Sequence, residues 1–303
     1  MSNIDFGGFF ADMERVIPGL RRDEVVMIPQ GWENTVIIAR DSTVFRFPKL
    51  QENRRILRIE KKTTDTLRDY LSVELPAMKI RKSLSADKCL FAYYPKIRGI
   101  HLFKGDLTPS NVPAVSSGFI RFLDEMKNVP GSVTGRIRVI NVDSKRLKSN
   151  YGRMLADFWT LSQDVVDKSL LDRLRGRFNE FKKLPMDGYS PRLAHYDISN
   201  ENVLFSGYEG NVCGIIDWSD SGIGDFAIDL AGIRYYFGES VYSEVTGRIP
   251  EYDRSVEMRV RFYCSIVGMY RVEYGIRYRQ ESYLEQGLSE LSAGLDNSEF
   301  DLS

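Results

Sequence analysis

The hydrophobic pattern of this chain changes from strand spacing to helix spacing after its first third, and this change restricts the fold more than any other feature. Short segments rich in Val, Ile and Phe at 25–29, 35–39 and 43–47 predict antiparallel strands. Arg40-Asp41 between the second and third segments predicts a tight hairpin connection. Apolar positions at helical spacing in 52–71 then predict a helix after the strands.

Helical character dominates the rest of the chain. Pro113 stands where a first helical turn tolerates proline, and apolar residues at helical spacing follow from Val115 to Met126. Residues 151–184 continue this character, and roughly the last 70 positions show no strand alternation. The larger part of the chain is therefore expected to be mainly helical.

Three short apolar stretches fall outside these helices, at 89–97, 202–205 and 212–216. The first ends where the pattern changes, and the other two lie between predicted helices. The layout predicts an α+β, bilobal fold. We expect a small antiparallel-sheet lobe over residues 1–94, and a hinge with a larger helical lobe over residues 95–303.

The composition argues against several classes of protein. The 303 residues include 42 Lys+Arg and 42 Asp+Glu, so no global basic field supports a nucleic-acid partner. No apolar run approaches the ~18 residues that span a bilayer. Acidic residues near the start replace a basic and apolar leader, and the three cysteines form no close pair, so we expect a cytoplasmic protein without disulfides. Two histidines exclude a site with three histidine ligands.

The most specific motif is His195-x-Asp197-x-x-x-x-Asn202, followed by two apolar residues and Asp217. Asp197 and Asn202 can share one loop, and Asp217 at a strand end can face them. Phosphoryl transfer uses this set, because one carboxylate orients the attacking hydroxyl while an Asn and another Asp hold magnesium on nucleotide phosphates. The alternative is an Asn- and Asp-rich turn between two buried strands, which is a less specific pattern. The chain has no GxSxG elbow and no GxxxxGK[ST] loop.

The segment Gly222–Ala227 fits the GxGxxA dinucleotide fingerprint. Such a fingerprint belongs in an early strand-turn-helix unit with an acidic residue about 20 positions later. This segment instead follows closely behind Asp217. We therefore predict a glycine-permitted turn after the strand that ends at Asp217.

At these residues the chain resembles the kinase-like aminoglycoside phosphotransferases, and among them the 2''-phosphotransferase branch. The resemblance is carried by the loop and by further segments at 31–36, 45–49, 91–99, 214–220, 225–229 and 273–288. It implies a protein-kinase-like bilobal fold, ATP or GTP as phosphoryl donor, and Mg²⁺. It also implies a small-molecule hydroxyl acceptor, with an aminoglycoside-type antibiotic as the leading candidate.

Carried over residue by residue, the resemblance assigns the parts of the catalytic loop. Asp197 matches the catalytic base, and His195 matches the leading histidine, whose implied role is structural. Asn202 and Asp217 match the magnesium ligands. The segment 31–36 matches the turn over the phosphates, although it is not a GxGxxG loop.

The resemblance also implies a nucleotide site. Arg46 falls where the family usually has a phosphate-contacting lysine, and Glu60 falls where the helix partner of that lysine belongs. Arginine keeps the charge but is a planar fork, and the alternative for this pair is a plain surface ion pair. Pro95 and Ile97 match the hinge that binds the purine, for which the alternative is an ordinary strand end, and Ile216 is assigned to the same nucleotide site.

The acceptor side is less defined. Asp220 and Glu239 are assigned to the acceptor pocket, where carboxylates would suit a cationic substrate. Asp225 and Asp229 fall in the same region, and their alternative role is structural, capping a helix and pairing with the catalytic loop. The 2''-branch has a dense acidic cluster where this chain has 233–237, which carries no acidic residue.

Two alternatives to an antibiotic kinase stay open at this point, namely a kinase for a small metabolite and a kinase-like binding module without catalysis. We expect a monomer or a homodimer. From His195 onward the chain holds 19 acidic residues and 8 arginines, so this part carries a net charge of −11 and residues 1–194 carry +11. A basic front part suits nucleotide phosphates, and an acidic back part suits magnesium and a cationic acceptor.

Overall fold

The structure is a computed structural model. It describes residues 6–28, 34–49, 53–84, 90–186 and 188–302. The predicted turn over the phosphates begins at Gly31, and its residues 31–33 lie outside the described residues.

The apolar segments of the first third pair into an antiparallel five-stranded sheet. The elements of this part are α1 (Phe6–Glu14), β1 (Val25–Ile28), β2 (Asn34–Ala39), β3 (Thr43–Pro48), α2 (Asn53–Leu67), β4 (Lys79–Lys82) and β5 (Leu90–Pro95). The strands lie in the order β1-β2-β3-β5-β4. Arg40 and Asp41 join β2 to β3 with φ of 50° and 45°, so the tight hairpin predicted there is confirmed.

Helices form most of the second lobe. Its elements are α3 (Val112–Asn128), α4 (Gly131–Thr134), α5 (Ser144–Ser162), α6 (Lys168–Lys183), β6 (Arg192–Ala194), β7 (Val203–Phe205), β8 (Val212–Ile215), β9 (Gly222–Gly224), α7 (Ala227–Thr246), α8 (Arg254–Ser265), α9 (Val267–Tyr278) and α10 (Glu281–Asp296). β7 pairs with β8 and β6 pairs with β9, both antiparallel. The predicted α+β, bilobal architecture is confirmed.

Two local predictions need correction. The helical stretch 151–184 is divided, because α5 ends at Ser162 and the Asp167 carboxylate caps α6 by accepting the Ser169 N–H at 2.8 Å. The segment predicted as a turn behind Asp217 contains the short strand β9, which pairs with the strand that leads into the catalytic loop. This segment forms a strand because it pairs with β6, and no local sequence pattern predicts that pairing.

Separate apolar clusters stabilise the two lobes. Phe45, Phe47 and Phe91 pack on one face of the sheet, whereas the large cluster lies among the helices. The segment 68–75 follows α2, and its apolar residues pack into the large cluster. Glu74 then joins the lobes, because its N–H donates to the Cys213 carbonyl at 2.8 Å and its carbonyl accepts the Ile215 N–H at 3.1 Å. No helix in the described ranges is long and apolar enough to cross a membrane.

Candidate active site

The backbone of the predicted catalytic loop is held by a buried carboxylate. Asp229 lies in the first turn of α7 and accepts the His195 N–H and the Tyr196 N–H, each at 2.8 Å. Burial raises the pKa of Asp229 to about 7, although both amides oppose this shift. The alternative that Asp229 pairs with the catalytic loop is therefore confirmed. The catalytic loop therefore begins directly after β6, at the two residues whose N–H groups Asp229 accepts.

His195 supports the loop from inside the protein. Its side chain is fully buried, with its ring edge-on to Trp218 at 4.6 Å between centroids. Burial lowers the imidazole pKa to about 4, so the ring is neutral near pH 7. Its Nδ1 accepts the Asp197 N–H at 3.2 Å. These contacts fit the structural role that the resemblance implies for His195.

Asp197 is exposed on the catalytic loop, but protein surrounds part of its carboxylate. Its Oδ2 accepts a hydrogen bond from Asn202 Nδ2 at 2.6 Å, and Asn202 Nδ2 also contacts the Asp197 carbonyl at 3.0 Å. The enclosing protein raises the pKa of Asp197, and the charges of Asp217 and Asp220 raise it further. In the described part of the chain, Asp197 Oδ1 makes no hydrogen bond. That oxygen is therefore not engaged by the protein.

Asp217 follows β8 and adopts a left-handed backbone conformation, with φ of 59°. Such a conformation is uncommon for a residue other than glycine and is concentrated at functional sites. The Ile216 N–H donates to the Asn202 carbonyl at 2.9 Å, which ties the strand end to the catalytic loop. Burial alone would raise the pKa of Asp217, but Arg46 and a hydrogen bond from Ser219 outweigh it and hold the pKa below its usual value. Asp217 is therefore ionised.

Asn202 and Asp217 have the chemistry of a magnesium site. Asn202 uses its amide nitrogen on Asp197, so its carbonyl oxygen is available, and Asp217 offers a charged carboxylate. Among the described residues no group of three His, Cys, Asp or Glu side chains could hold a metal. Magnesium typically takes only one or two protein carboxylates together with substrate phosphates and water. The two side-chain oxygens of Asn202 and Asp217 therefore suit an ion that takes its other ligands from phosphates and water, and not a site whose ligands all come from the protein.

Arg46 joins the sheet to the helical lobe. Its Nη1 lies 2.6 Å from Glu60 Oε1, and its Nη2 lies 3.5 Å from Asp217 Oδ1. Arg46 is 5% exposed and Glu60 is 0% exposed, so the alternative of a surface ion pair is wrong. Burial opposes the Arg46 charge, but Glu60 and Asp217 outweigh it and raise the pKa of Arg46. Burial also raises the pKa of Glu60 to about 7 against the Arg46 charge.

The predicted hinge residues lie where the sheet meets the second lobe. Pro95 ends β5 opposite Thr43 and is exposed, whereas Ile97 is buried. The intervening Lys96 donates its N–H to the Ser42 carbonyl at 2.8 Å. Ile216 is half-buried beside Asp217. The positions of Pro95, Ile97 and Ile216 are therefore compatible with a nucleotide cleft between the lobes, and their role as nucleotide contacts stays a prediction.

The two predicted acceptor residues differ in their surroundings. Asp220 is exposed, lies 3.7 Å from Arg138 Nη2, and is close enough to Asp197 for its charge to raise the pKa of that group. Glu239 instead accepts from Arg234 Nε at 2.8 Å. No contact within the described ranges joins Glu239 to the catalytic loop. The structure therefore brings Asp220 to the site and gives Glu239 a partner elsewhere.

Sequence reasoning missed Tyr196, the residue between His195 and Asp197. Its φ is 73°, and its hydroxyl accepts the Asp225 N–H at 2.7 Å and Asn141 Nδ2–H at 3.3 Å. A Cβ on Gly224 would lie only 1.9 Å from the Tyr196 hydroxyl, so glycine is required there. The Asp225 carboxylate is held in turn by Arg259 Nε at 2.8 Å. The glycines that follow Asp217 in the sequence, including Gly224, could have indicated this contact, because glycine often marks a place where another group approaches the backbone closely.

Comparison with known proteins assigns the chain to a family. The sequence pattern of the phosphotransferase enzyme family matches residues 24–263, which include every residue of the cleft described above. The chain belongs to the phosphotransferase enzyme family. Over 99 residues this phosphotransferase is 31% identical to viomycin phosphotransferase of Streptomyces vinaceus, a match that covers 32% of this chain and 34% of that protein. The matched segment therefore spans about a third of that relative's length.

Solved structures share the fold of this phosphotransferase over nearly its whole length. One is the GDP and kanamycin complex of APH(2")-IIia, with 23% identity, a TM-score of 0.81, and coverage of 96% of this chain and 99% of that chain. Another is macrolide 2'-phosphotransferase type I, with 17% identity, a TM-score of 0.69, and coverage of 96% and 98%. At these identities the likeness concerns the fold, and the predicted kinase-like fold is confirmed.

Proposed function

We propose that this phosphotransferase moves the γ-phosphoryl group of ATP or GTP to a hydroxyl of a small antibiotic-type molecule, with Mg²⁺ on the nucleotide phosphates. The observation that carries the proposal is the hydrogen-bonded Asp197–Asn202 pair beside Asp217, which Arg46 contacts from the sheet. A base for the acceptor, oxygen ligands for a cation, and a positive charge for the phosphates are the groups that phosphoryl transfer requires.

Asp197 orients the acceptor hydroxyl and receives its proton. Asn202 holds Oδ2 of this carboxylate at 2.6 Å, which leaves Oδ1 for the acceptor. As the acceptor oxygen bonds to the γ-phosphorus, the bond from that phosphorus to the bridging oxygen breaks, and the nucleoside diphosphate leaves. The chain contributes mainly position and charge, because the loose transition state of phosphoryl transfer needs little covalent assistance.

Asn202 and Asp217 would hold Mg²⁺ through their side-chain oxygens. The ion would neutralise negative charge on the transferring phosphoryl group. Arg46 takes the place of the lysine in this proposal and reaches the phosphates from β3. Its fork can keep one nitrogen on Glu60 while the nitrogen now 3.5 Å from Asp217 turns to a phosphate oxygen.

The relatives support an antibiotic-type acceptor, since their names include viomycin, macrolide and a kanamycin complex. A small-metabolite kinase is the second candidate, and the engagement of Glu239 by Arg234 favours it because one fewer carboxylate is available for a polycation. A binding module without catalysis is disfavoured, since Asp197, Asn202 and Asp217 are all present. We place the enzyme in the cytoplasm, as a monomer or a homodimer, where both nucleotides and magnesium are supplied.

Asp197→Ala tests the proposal. The variant is expected to lose turnover of nucleotide in the presence of an accepted hydroxyl compound, while its stabilisation by Mg-ATP or Mg-GTP in a thermal-shift assay stays close to that of the wild type. Glu209→Ala serves as a matched control, because Glu209 is an exposed carboxylate after β7 and has no contact with the catalytic loop in the described ranges. Turnover that survives Asp197→Ala, or a wild-type protein that neither nucleotide stabilises, would sink the assignment.

A further inference from the structure

Asn34 begins β2 and carries a buried side-chain oxygen without a hydrogen-bond partner. The residue is 5% exposed, and its Oδ1 makes no hydrogen bond in the part of the chain that the structure describes. A buried polar atom without a partner costs free energy, and nearly all such atoms in folded proteins are paired with protein or with water. The unpaired oxygen therefore indicates a partner that the chain itself does not supply.

The register of the sheet places Asn34 on the same face as Arg46. In the pairing of β2 with β3, Val36 lies opposite Arg46 and Asn34 lies opposite Pro48. Directly paired residues of antiparallel strands point to one face, and residues two positions apart on a strand share that face. Asn34 and Arg46 are therefore diagonal neighbours, a separation that long side chains can bridge.

This face of the sheet is turned toward α2 and the second lobe. Val36 packs beside Leu57 of α2, and Arg46 reaches Asp217 from the same face. The opposite face belongs to a separate apolar cluster. Asn34 therefore lies on the side of the sheet from which the proposed phosphate contact of Arg46 is made.

The strand register also orders this face from the hinge outward. Thr43 of β3 lies opposite Pro95 at the predicted hinge, and Arg46 is three residues farther along β3. Asn34, opposite Pro48, lies at the end of the sheet away from the hinge. With a rise of roughly 3.3 Å per residue, Asn34 is about 7 Å beyond the residue that pairs with Arg46. A nucleotide with its purine at the hinge and its phosphates at Arg46 extends its terminal phosphate toward Asn34.

We propose that the Asn34 amide binds the terminal phosphate of the nucleotide and positions the group that is transferred. The inference rests on the proposed function and adds to it a binding residue from the sheet. A carboxamide offers donors as well as an acceptor. Nδ2 donates to a phosphate oxygen, and Oδ1 accepts from a water molecule that the phosphate binds. Arg46 supplies the charge that attracts the phosphates, and the uncharged Asn34 fixes the position of the last one.

Asn34→Leu tests the inference, because leucine keeps the approximate size of the side chain and removes its polar atoms. Without nucleotide, the variant should be at least as stable to heat as the wild type, since an unpaired buried group is lost. In thermal-shift titrations with Mg²⁺, the Kd for the β,γ-imido analogue of ATP or GTP should rise about tenfold. The rise should be smaller for the nucleoside diphosphate and below twofold for the nucleoside.

Asn34→Asp separates a phosphate contact from a ribose contact. An ionised aspartate has nearly the same shape but only acceptor atoms, and its charge repels a phosphate. The Kd for the triphosphate analogue should therefore rise more than in Asn34→Leu, and added salt should reduce the difference. A ribose hydroxyl could still donate to this aspartate, so triphosphate binding that is unchanged in Asn34→Asp overturns the inference.

Thr43→Val is the matched control. Thr43 is three residues from Arg46 on β3, so its side chain lies on the opposite face of the sheet, and its Kd values should equal those of the wild type.

The remaining outcomes are equally decisive. Wild-type affinity in Asn34→Leu, or equal losses for the triphosphate analogue and the nucleoside, removes the phosphate contact and leaves the proposed function intact. A less stable Asn34→Leu protein with unchanged affinity shows that the amide is structural. If leucine prevents folding, the Asn34→Asp comparison decides. Failure of the wild type to bind any of these nucleotides removes the proposed function and this inference together.

Discussion

Removal of one hydroxyl from the catalytic loop, in Tyr196→Phe, is expected to damage both stability and turnover. The hydroxyl accepts the N–H of Asp225, a residue only 1% exposed, at 2.7 Å. Without it, a buried donor loses its partner, which costs about 1–3 kcal/mol. The left-handed backbone of Tyr196, with φ of 73°, persists only because its surroundings determine it. We therefore expect the unfolding free energy to fall by about 2 kcal/mol.

Turnover should respond differently from nucleotide binding in this variant. Relaxation of Tyr196 displaces the adjacent Asp197, and a small displacement of a positioning group lowers kcat by about tenfold or more. The nucleotide contacts proposed for Arg46 and Asp217 are untouched, so the KM for nucleotide should change less than about twofold. Urea unfolding and steady-state kinetics measure the two effects.

Tyr189→Phe is a matched control for this prediction. Its hydroxyl is also buried, but it has no hydrogen-bond partner in the described part of the chain. Removing it should leave stability unchanged or raise it slightly, with normal turnover. Equal behaviour of the two variants, or a loss below about 0.5 kcal/mol in Tyr196→Phe with full turnover, would refute the reasoning.

Three further predictions concern carboxylates in and around the site. Asp217→Asn should abolish the magnesium-dependent part of nucleotide stabilisation in thermal shift, and an unchanged shift would speak against a metal ligand at this position. Glu60→Gln should lower the unfolding free energy in urea by about 3 kcal/mol, because the buried Arg46 loses the charge of its partner at 2.6 Å, and a loss below about 1 kcal/mol would contradict the ion pair. Burial raises the pKa of Asp229 to about 7, above ~4 in an unfolded chain. Between these two pH values Asp229 is protonated in the native state but ionised in the unfolded chain, so the free energy of unfolding should decline as pH rises from about 4 to about 7. Asp229→Asn should be less stable but show a flatter decline in urea titrations across this range, and an equal slope in both proteins would exclude this assignment.

Local sequence patterns predicted the elements that depend on local burial. Alternation of apolar residues reports which face of a strand is covered, and the structure places β2 and β3 within one residue of the predicted segments. The helix predicted over 52–71 is α2, which ends at Leu67. The spacing of Asp197 and Asn202 is also a local property, because both lie on one loop. These features needed no knowledge of the rest of the chain.

Contacts between distant segments could not be predicted from local sequence patterns. Arg46 and Asp217 are 171 positions apart, and only the docking of the sheet on the helical lobe brings them to 3.5 Å. The family resemblance made Glu239 a candidate for the acceptor site, but helix packing gave it Arg234 as a partner. Composition records that charges are present, and only tertiary packing decides which charges meet.

The sequence by itself therefore determined the two-lobed division and the chemistry of the loop, because periodicity and motif spacing depend only on residues that are close together in the chain. Tertiary structure alone decided the support of that loop by Tyr196 and the contact between Arg46 and Asp217. Each of these depends on elements that lie dozens of positions apart. The physical reason is that a hydrogen bond or a cavity is a relation between surfaces, and its geometry is fixed only when the helices and strands have packed.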